Sequence, residues 1–238
     1  MDNGNLRGSA KFGFVAGATL SAEQQRTGRR IQADSVHARV QAWAMSAVHE
    51  GSDTELEFVN ALSTVHRLAP SELVCFRGQR RFPLGHSPQP EDMGPPPTGK
   101  ALAGRYNGHG HSLLYLCETE QGVMQEPISG TGPLWVQRFM LPTDTLEIAD
   151  LRPGRAEEFV NQVFWFAEHA GEAPIHCRLE FSQRVASLVA KKFDGMMIPG
   201  VRGDESHRYA NIVVLRRISE WSSWLDPESR PSMHEPAM

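Results

Sequence analysis

The chain has 238 residues, of which 40% are hydrophobic, 22% charged and 8% aromatic, which is enough for one sizeable core and excludes a mini-protein, a collagen repeat and a fully disordered chain. With 24 Lys and Arg against 28 Asp and Glu the formal net charge is −4, so no overall field would hold the protein directly on nucleic acid or on an anionic membrane. Cys75, Cys117 and Cys177 fit neither a disulfide framework nor a CxxC site, and no apolar run approaches the ~20 residues of a membrane span; both point to buried free thiols and a cytoplasmic protein.

Residues 1 to about 30 are Gly-rich and polar and are expected to pack loosely. Patterning starts near Ser35, where Val36, Val40, Trp43, Ala44, Ala47 and Val48 recur every three or four residues on one helical face, with Gly51 as a stop. Ser52-Asp53-Thr54-Glu55 has the spacing of a capping box, and Leu56, Val59, Leu62, Ser63 and His66 continue a second helix until Pro70. This pair gives residues 1–70 the look of an N-terminal helical extension, whose apolar faces either lengthen the core or form a partner surface.

From Leu73 the texture changes to strand-length apolar runs: Leu73–Phe76, Ser112–Cys117, Trp135–Leu141, Thr145–Ile148, Gly195–Ile198 and Asn211–Leu215. Glu157–Ala170 and Ser182–Phe193 read as amphipathic helices between them. Strands and helices mingle without a regular βαβ rhythm, so residues 71–225 are assigned an α/β domain of irregular, α+β kind. The loop Pro83–Gly99 carries six prolines, and it reads as an extended segment and a candidate lid. Residues 226–238 are polar, with three further prolines, and are expected to be a flexible tail.

The common catalytic signatures are absent: there is no GxSxG elbow, Walker A loop, HExxH or GxGxxG after a strand. His109 and His111 lie two apart on a glycine loop, a poor metal-ligand spacing, and His176-Cys177 reads as core; no metal is expected. One stretch differs in kind. Cys75-Phe76-Arg77-Gly78 ends an apolar run with a cation, Gly104-Arg105-Tyr106-Asn107 packs a cation, an aromatic and an amide into a turn, and Leu113-Leu114-Tyr115-Leu116 leads towards Glu126. An arginine fork suits pyrophosphate, a tyrosine can stack on a nucleobase or pyridine ring, and a lone carboxylate can hold ribose hydroxyls and steady positive charge at an anomeric carbon. Physically, the set suits a nucleotide sugar diphosphate.

Residues 74–126, from VCFRG to GRYNGHGHSLLYLCETEQGVMQE, resemble the RES domain, whose pattern is a strand-borne Arg, a GGRW/YN-type turn, a strand with a Tyr and then a helix carrying Glu. Phe193-Asp194-Gly195-Met196-Met197-Ile198-Pro199-Gly200 and Asn211-Ile212-Val213-Val214-Leu215 are similar to the ending of that domain, so the resemblance spans about residues 72–217. It implies an ADP-ribosyltransferase-like split β-core that takes NAD+ as substrate and breaks the nicotinamide–ribose bond. It also implies a bacterial toxin neutralised by a helix-turn-helix-type antitoxin; the alternatives are a protein mono-ADP-ribosyltransferase and an impaired module that binds NAD+ or an antitoxin. Carried over residue by residue, Arg77 would grip the phosphates or the nicotinamide ribose and Glu126 would steady the ribosyl cation. Arg105, Tyr106 and Asn107 match the turn and Tyr115 the strand aromatic; with Arg202 they would bind NAD+, Tyr106 would also take part in catalysis, and one tyrosine would lie against the pyridine. The serine expected after Pro199 is Gly200 here, and Arg202 and Ser206 are the nearby candidates to replace it. The oligomeric state stays open.

Overall fold

The computed structural model describes residues 35–46, 51–83, 85–126, 128, 130, 132–169, 175–200 and 209–234. Helix α1 (residues 35–45) buries Val36, Val40, Trp43 and Ala44, the stripe that the sequence period requires. Gly51 follows with φ +75°, and the Ser52 hydroxyl accepts the Glu55 N–H at 3.2 Å to start α2 (Asp53–Ala61). The capping box is only half formed, because the Glu55 carboxylate turns instead to Arg184, at 2.6 and 3.2 Å. Helix α2 ends at Ala61, well before Pro70, and Leu56 on its expected apolar stripe is 55% exposed. Strand pairing ends it: His66 O accepts from Asp150 N, and Leu68 N donates to Ile148 O, both on the edge of the sheet.

The remaining elements in chain order are β1 (Glu72–Gln79), β2 (Leu114–Cys117), α3 (Glu120–Gln125), β3 (Leu134–Pro142), β4 (Ile148–Asp150), α4 (Glu158–His169), α5 (Ile175–Val189), β5 (Gly195–Pro199), β6 (Ala210–Val214) and β7 (Ser232–His234). The fold is a mixed α and β one, as the sequence predicts. Helix α5 begins seven residues before the expected Ser182, since Phe181, Val185 and Leu188 continue a single buried face at helical spacing. The seven strands form one sheet in the order β4-β5-β6-β2-β1-β3-β7, in which the β4–β5 pair is parallel and the others antiparallel.

Residues Val36–Met238 make one unit, so the helical front is not a separate module. One face of the sheet is covered by α1, α2, α4 and α5, with Trp43, Phe58, Phe164, Phe166 and Phe181 at the centre. The Trp43 and Phe181 rings meet edge-on, with centroids 5.0 Å apart. The apolar faces of α1 and α2 therefore lengthen the core, one of the two roles open from the sequence. On the opposite face Leu114, Phe139, Leu141, Ile212 and Val214 pack with Trp224. Phe181 is fully buried among these aromatic rings, so Phe181→Ala is expected to cost roughly 3–5 kcal/mol, read from denaturant unfolding.

Two expectations are corrected. The C-terminal residues 226–238 are not simply a tail: β7 pairs with β3 through Leu134↔His234, Trp135↔Met233 and Val136↔Ser232, which satisfies an otherwise open strand edge. Asp226 is buried and accepts from Arg138. Nor is Pro83–Gly99 a free lid. It contains a 3₁₀ turn (Pro90–Met93) whose Met93 is completely buried beside Phe82 and Trp135, and Gln79 Nε2 ties it to β1 by donating to Gly94 O at 3.0 Å. Among the described residues no helix is long and apolar enough to cross a membrane.

Candidate functional site

The sheet is weakest between its two central strands. Strand β1 forms eight register pairs with β3, and β2 forms four with β6, but β1 and β2 share a single pair, Phe76↔Cys117. Beyond that pair the two strands separate, and a cavity of about 570 Å³ opens between them, within the ~300–1,000 Å³ usual for small-molecule sites. Arg77, Asn107, Tyr115 and Glu126, four of the residues singled out in the sequence, line it together.

Arg77 sits just past the Phe76↔Cys117 pair. Its Nη1 donates to the backbone oxygen of Tyr115 at 3.0 Å, spanning the gap where strand pairing has stopped. Its Nε is sealed from water with no partner among the described residues, although the residue as a whole is only half-buried. Desolvation, with a smaller contribution from nearby Arg81, pulls the guanidinium down to about 10, so it remains a cation at neutral pH. No carboxylate pairs with Arg77 among the described residues. A cation so placed is uncompensated until an anion arrives.

The turn at Gly104–Asn107 builds the opposite wall. Gly104 N donates to Asn107 O at 2.9 Å, and Asn107 Nδ2 donates to Leu102 O and Gly108 O at 2.8 and 3.2 Å. Gln183 of α5 clamps the turn by donating to Gly104 O and Asn107 O, both at 3.0 Å. The Tyr115 hydroxyl donates to Asn107 Oδ1 at 2.9 Å and accepts the Tyr106 N–H at 3.2 Å. Burial pushes this phenol up to about 12, so it stays protonated and holds its ring in place across the physiological range.

Glu126 stands at the end of α3, as its C-terminal cap and not within the helix. Thr119 starts that helix by accepting the Gly122 N–H at 3.0 Å. Helix α3 can lie close over β1 because residue 78 lacks a side chain: a Cβ there would collide with Val123 and Ile128. Gly78→Ala is accordingly expected to destabilise by about 1–3 kcal/mol and to displace the Glu126 segment, measured by thermal unfolding together with ligand titration. Glu126 Oε1 accepts two bonds, from the Tyr209 hydroxyl at 2.8 Å and from Asn211 Nδ2 at 2.6 Å. Oε2 has no hydrogen bond to any described residue.

Not every expected residue reaches the cavity. Tyr106 is 4% exposed and its ring belongs to the core beneath the helices, so a stacking or catalytic role for that ring is corrected to a structural one; its backbone N–H is what serves the site, through Tyr115. Arg105 is not among the residues that line the cavity, and its charge lies near the Tyr115 phenol. Arg202 and Ser206 lie outside the described residues. Residues passed over in the sequence also contribute: Phe76 and Lys100 line the walls, as does Asn211, while Tyr209 reaches Glu126 from behind. Phe76 had the simplest available signal, its position next to Arg77. Asn211 becomes a site residue through the register Cys117↔Asn211, which only strand pairing establishes.

The two cysteines on these strands are structural. Burial raises both thiols, Cys117 to about 11 and Cys75 further, which leaves them protonated and unreactive. A scan against protein-family models finds no match to the chain, and a search of curated proteins finds no similar sequence.

Proposed function

We propose that the chain is an NAD+-consuming enzyme of the RES type, a toxin with an ADP-ribosyltransferase-like core that cleaves the bond between nicotinamide and ribose. The observation that carries this reading is that Arg77, a cation without a carboxylate partner among the described residues, and Glu126, a carboxylate with one free oxygen, line a single cavity at the opening of the sheet. Arg77 and the exposed Lys100 at the cavity wall would take the diphosphate. Phe76 and Tyr115 offer aromatic surface for the pyridine ring. Glu126 Oε2 would accept from a ribose hydroxyl and stabilise the oxocarbenium-like state as the C1′–N bond breaks, its electron pair leaving on the nicotinamide nitrogen. Water or inorganic phosphate then forms the new C1′–O bond and gives up a proton.

In this reading NAD+ is a substrate, the reaction uses no metal, and the protein works in the cytoplasm, held in check by a helix-turn-helix-type antitoxin. The test is to incubate purified protein with NAD+, with and without inorganic phosphate, and to follow nicotinamide. Nicotinamide release accompanied by free ADP-ribose or its 1-phosphate supports a glycohydrolase or phosphorylase. Release accompanied by a mass gain on a second protein, with little free ADP-ribose, would assign protein ADP-ribosylation instead. Saturable NAD+ binding without release would leave a binding module and overturn the catalytic reading.

A further inference from the structure

The residue that holds Glu126 from behind has an unusual seat. The Tyr209 ring lies between two glycines: a Cβ at Gly200 would meet ring atom Cδ2 at 2.5 Å and collide with others, and a Cβ at Gly122 would meet Cγ and Cδ2 at 2.7 and 2.8 Å. These distances are shorter than real side chains tolerate, so neither position admits even alanine unless the ring moves, and at Gly122 the Cys117 Sγ would have to move as well. Gly200 N donates to Tyr209 O at 2.8 Å, which extends the β5–β6 ladder and keeps the two residues side by side. From this slot the Tyr209 hydroxyl reaches Glu126 Oε1 at 2.8 Å, and Asn211, two residues on and on the same face of the strand, reaches the same oxygen at 2.6 Å.

Resting on the NAD+ reading above, we propose that Tyr209 is a positioning residue for Glu126, and that it supplies the hydroxyl absent at position 200. Two donors on Oε1 fix the carboxylate plane, while Oε2 stays available to the substrate. Glycine at 200 is then not a lost function but a requirement of the arrangement: a side chain there and the tyrosine ring compete for one space. The slot between Gly122 and Gly200 thus makes hydroxyl delivery depend on a residue from the next strand.

The experiment is a double-mutant cycle on the full chain, with Tyr209→Phe, Gly200→Ala and the double variant assayed for nicotinamide release and for thermal unfolding. Tyr209→Phe keeps the ring and removes only the hydroxyl, so kcat is expected to fall roughly 10- to 100-fold with KM within about twofold of wild type. Gly200→Ala displaces the ring and loses a similar factor. The double variant is expected to be no slower than the worse single variant, because both changes break one interaction. Multiplying losses, or a raised KM with unchanged kcat, would overturn the positioning role while leaving the NAD+ reading intact. A wild-type chain that releases no nicotinamide would overturn that reading and this role with it. Should Gly200→Ala fail to fold, the split between kcat and KM in Tyr209→Phe decides alone.

Discussion

Arg77→Met is expected to cut nicotinamide release severely and yet to leave the unfolding midpoint of the chain unchanged or raised. The two halves of that result have one cause. Arg77 projects into the opening of the sheet with its Nε sealed off, no carboxylate beside it among the described residues, and Arg81 adding like charge. Holding a cation there costs desolvation that, among the described residues, is offset at Tyr115, whose backbone O accepts from Arg77 at 3.0 Å. Methionine fills much of the same volume without charge, and the price is one carbonyl left without its partner. A diphosphate, by contrast, would lose two or more charge-assisted bonds, so kcat/KM is expected to fall by roughly 10²- to 10⁴-fold. Arg77→Lys should recover only a small part, since a point charge cannot reproduce the fork. Steady-state kinetics beside a thermal melt checks both halves; a variant that is inactive and also much less stable would mean that Arg77 is a structural strut.

Glu126→Gln is expected to lower kcat by roughly 10²- to 10³-fold while NAD+ still binds within a fewfold of wild type. The substitution is nearly isosteric. The amide oxygen can go on accepting from Tyr209 and Asn211, so the geometry at the end of α3 survives. What disappears is the negative charge, which matters most when positive charge develops on the ribose and little in the ground state. Direct NAD+ titration and nicotinamide release on the same preparation give the comparison. Equal losses in binding and turnover would instead make Glu126 a ground-state ligand and remove it from the chemistry.

The expected core was legible where amphipathic period and burial agree. Val36, Val40, Trp43 and Ala44 declare α1, and the apolar runs of β1, β3, β5 and β6 are found within a few residues of their observed bounds. Strand β7 was not legible, because Ser-Met-His has no pattern of its own and is ordered by the open edge of β3. The early end of α2 was hidden for a similar reason: residues 66–68 give up helical bonds for pairing with β4, a competitor far away in sequence. The proline-rich loop misled in the opposite direction, since proline content marks extended backbone but does not say that Met93 will anchor it in a pocket beside Trp135.

At the site, residue chemistry and residue placement divide cleanly. Arg77, Asn107, Tyr115 and Glu126 are recognisable from the chain because a guanidinium, an amide, a phenol and a lone carboxylate each carry a chemistry that does not depend on neighbours. Their convergence on one cavity depends on β1 and β2 pairing only at Phe76↔Cys117 and then separating, a property of sheet register that local sequence does not encode. The same applies to Tyr106, whose ring the sheet and helices draw into the core, and to Tyr209, which becomes a partner of Glu126 only through the space above two glycines. Composition and period determined which residues are apolar, which are charged and where most of the helices and strands lie. Which of the polar residues face one another was decided by strand pairing and close packing, whose interactions join positions 80 or more residues apart.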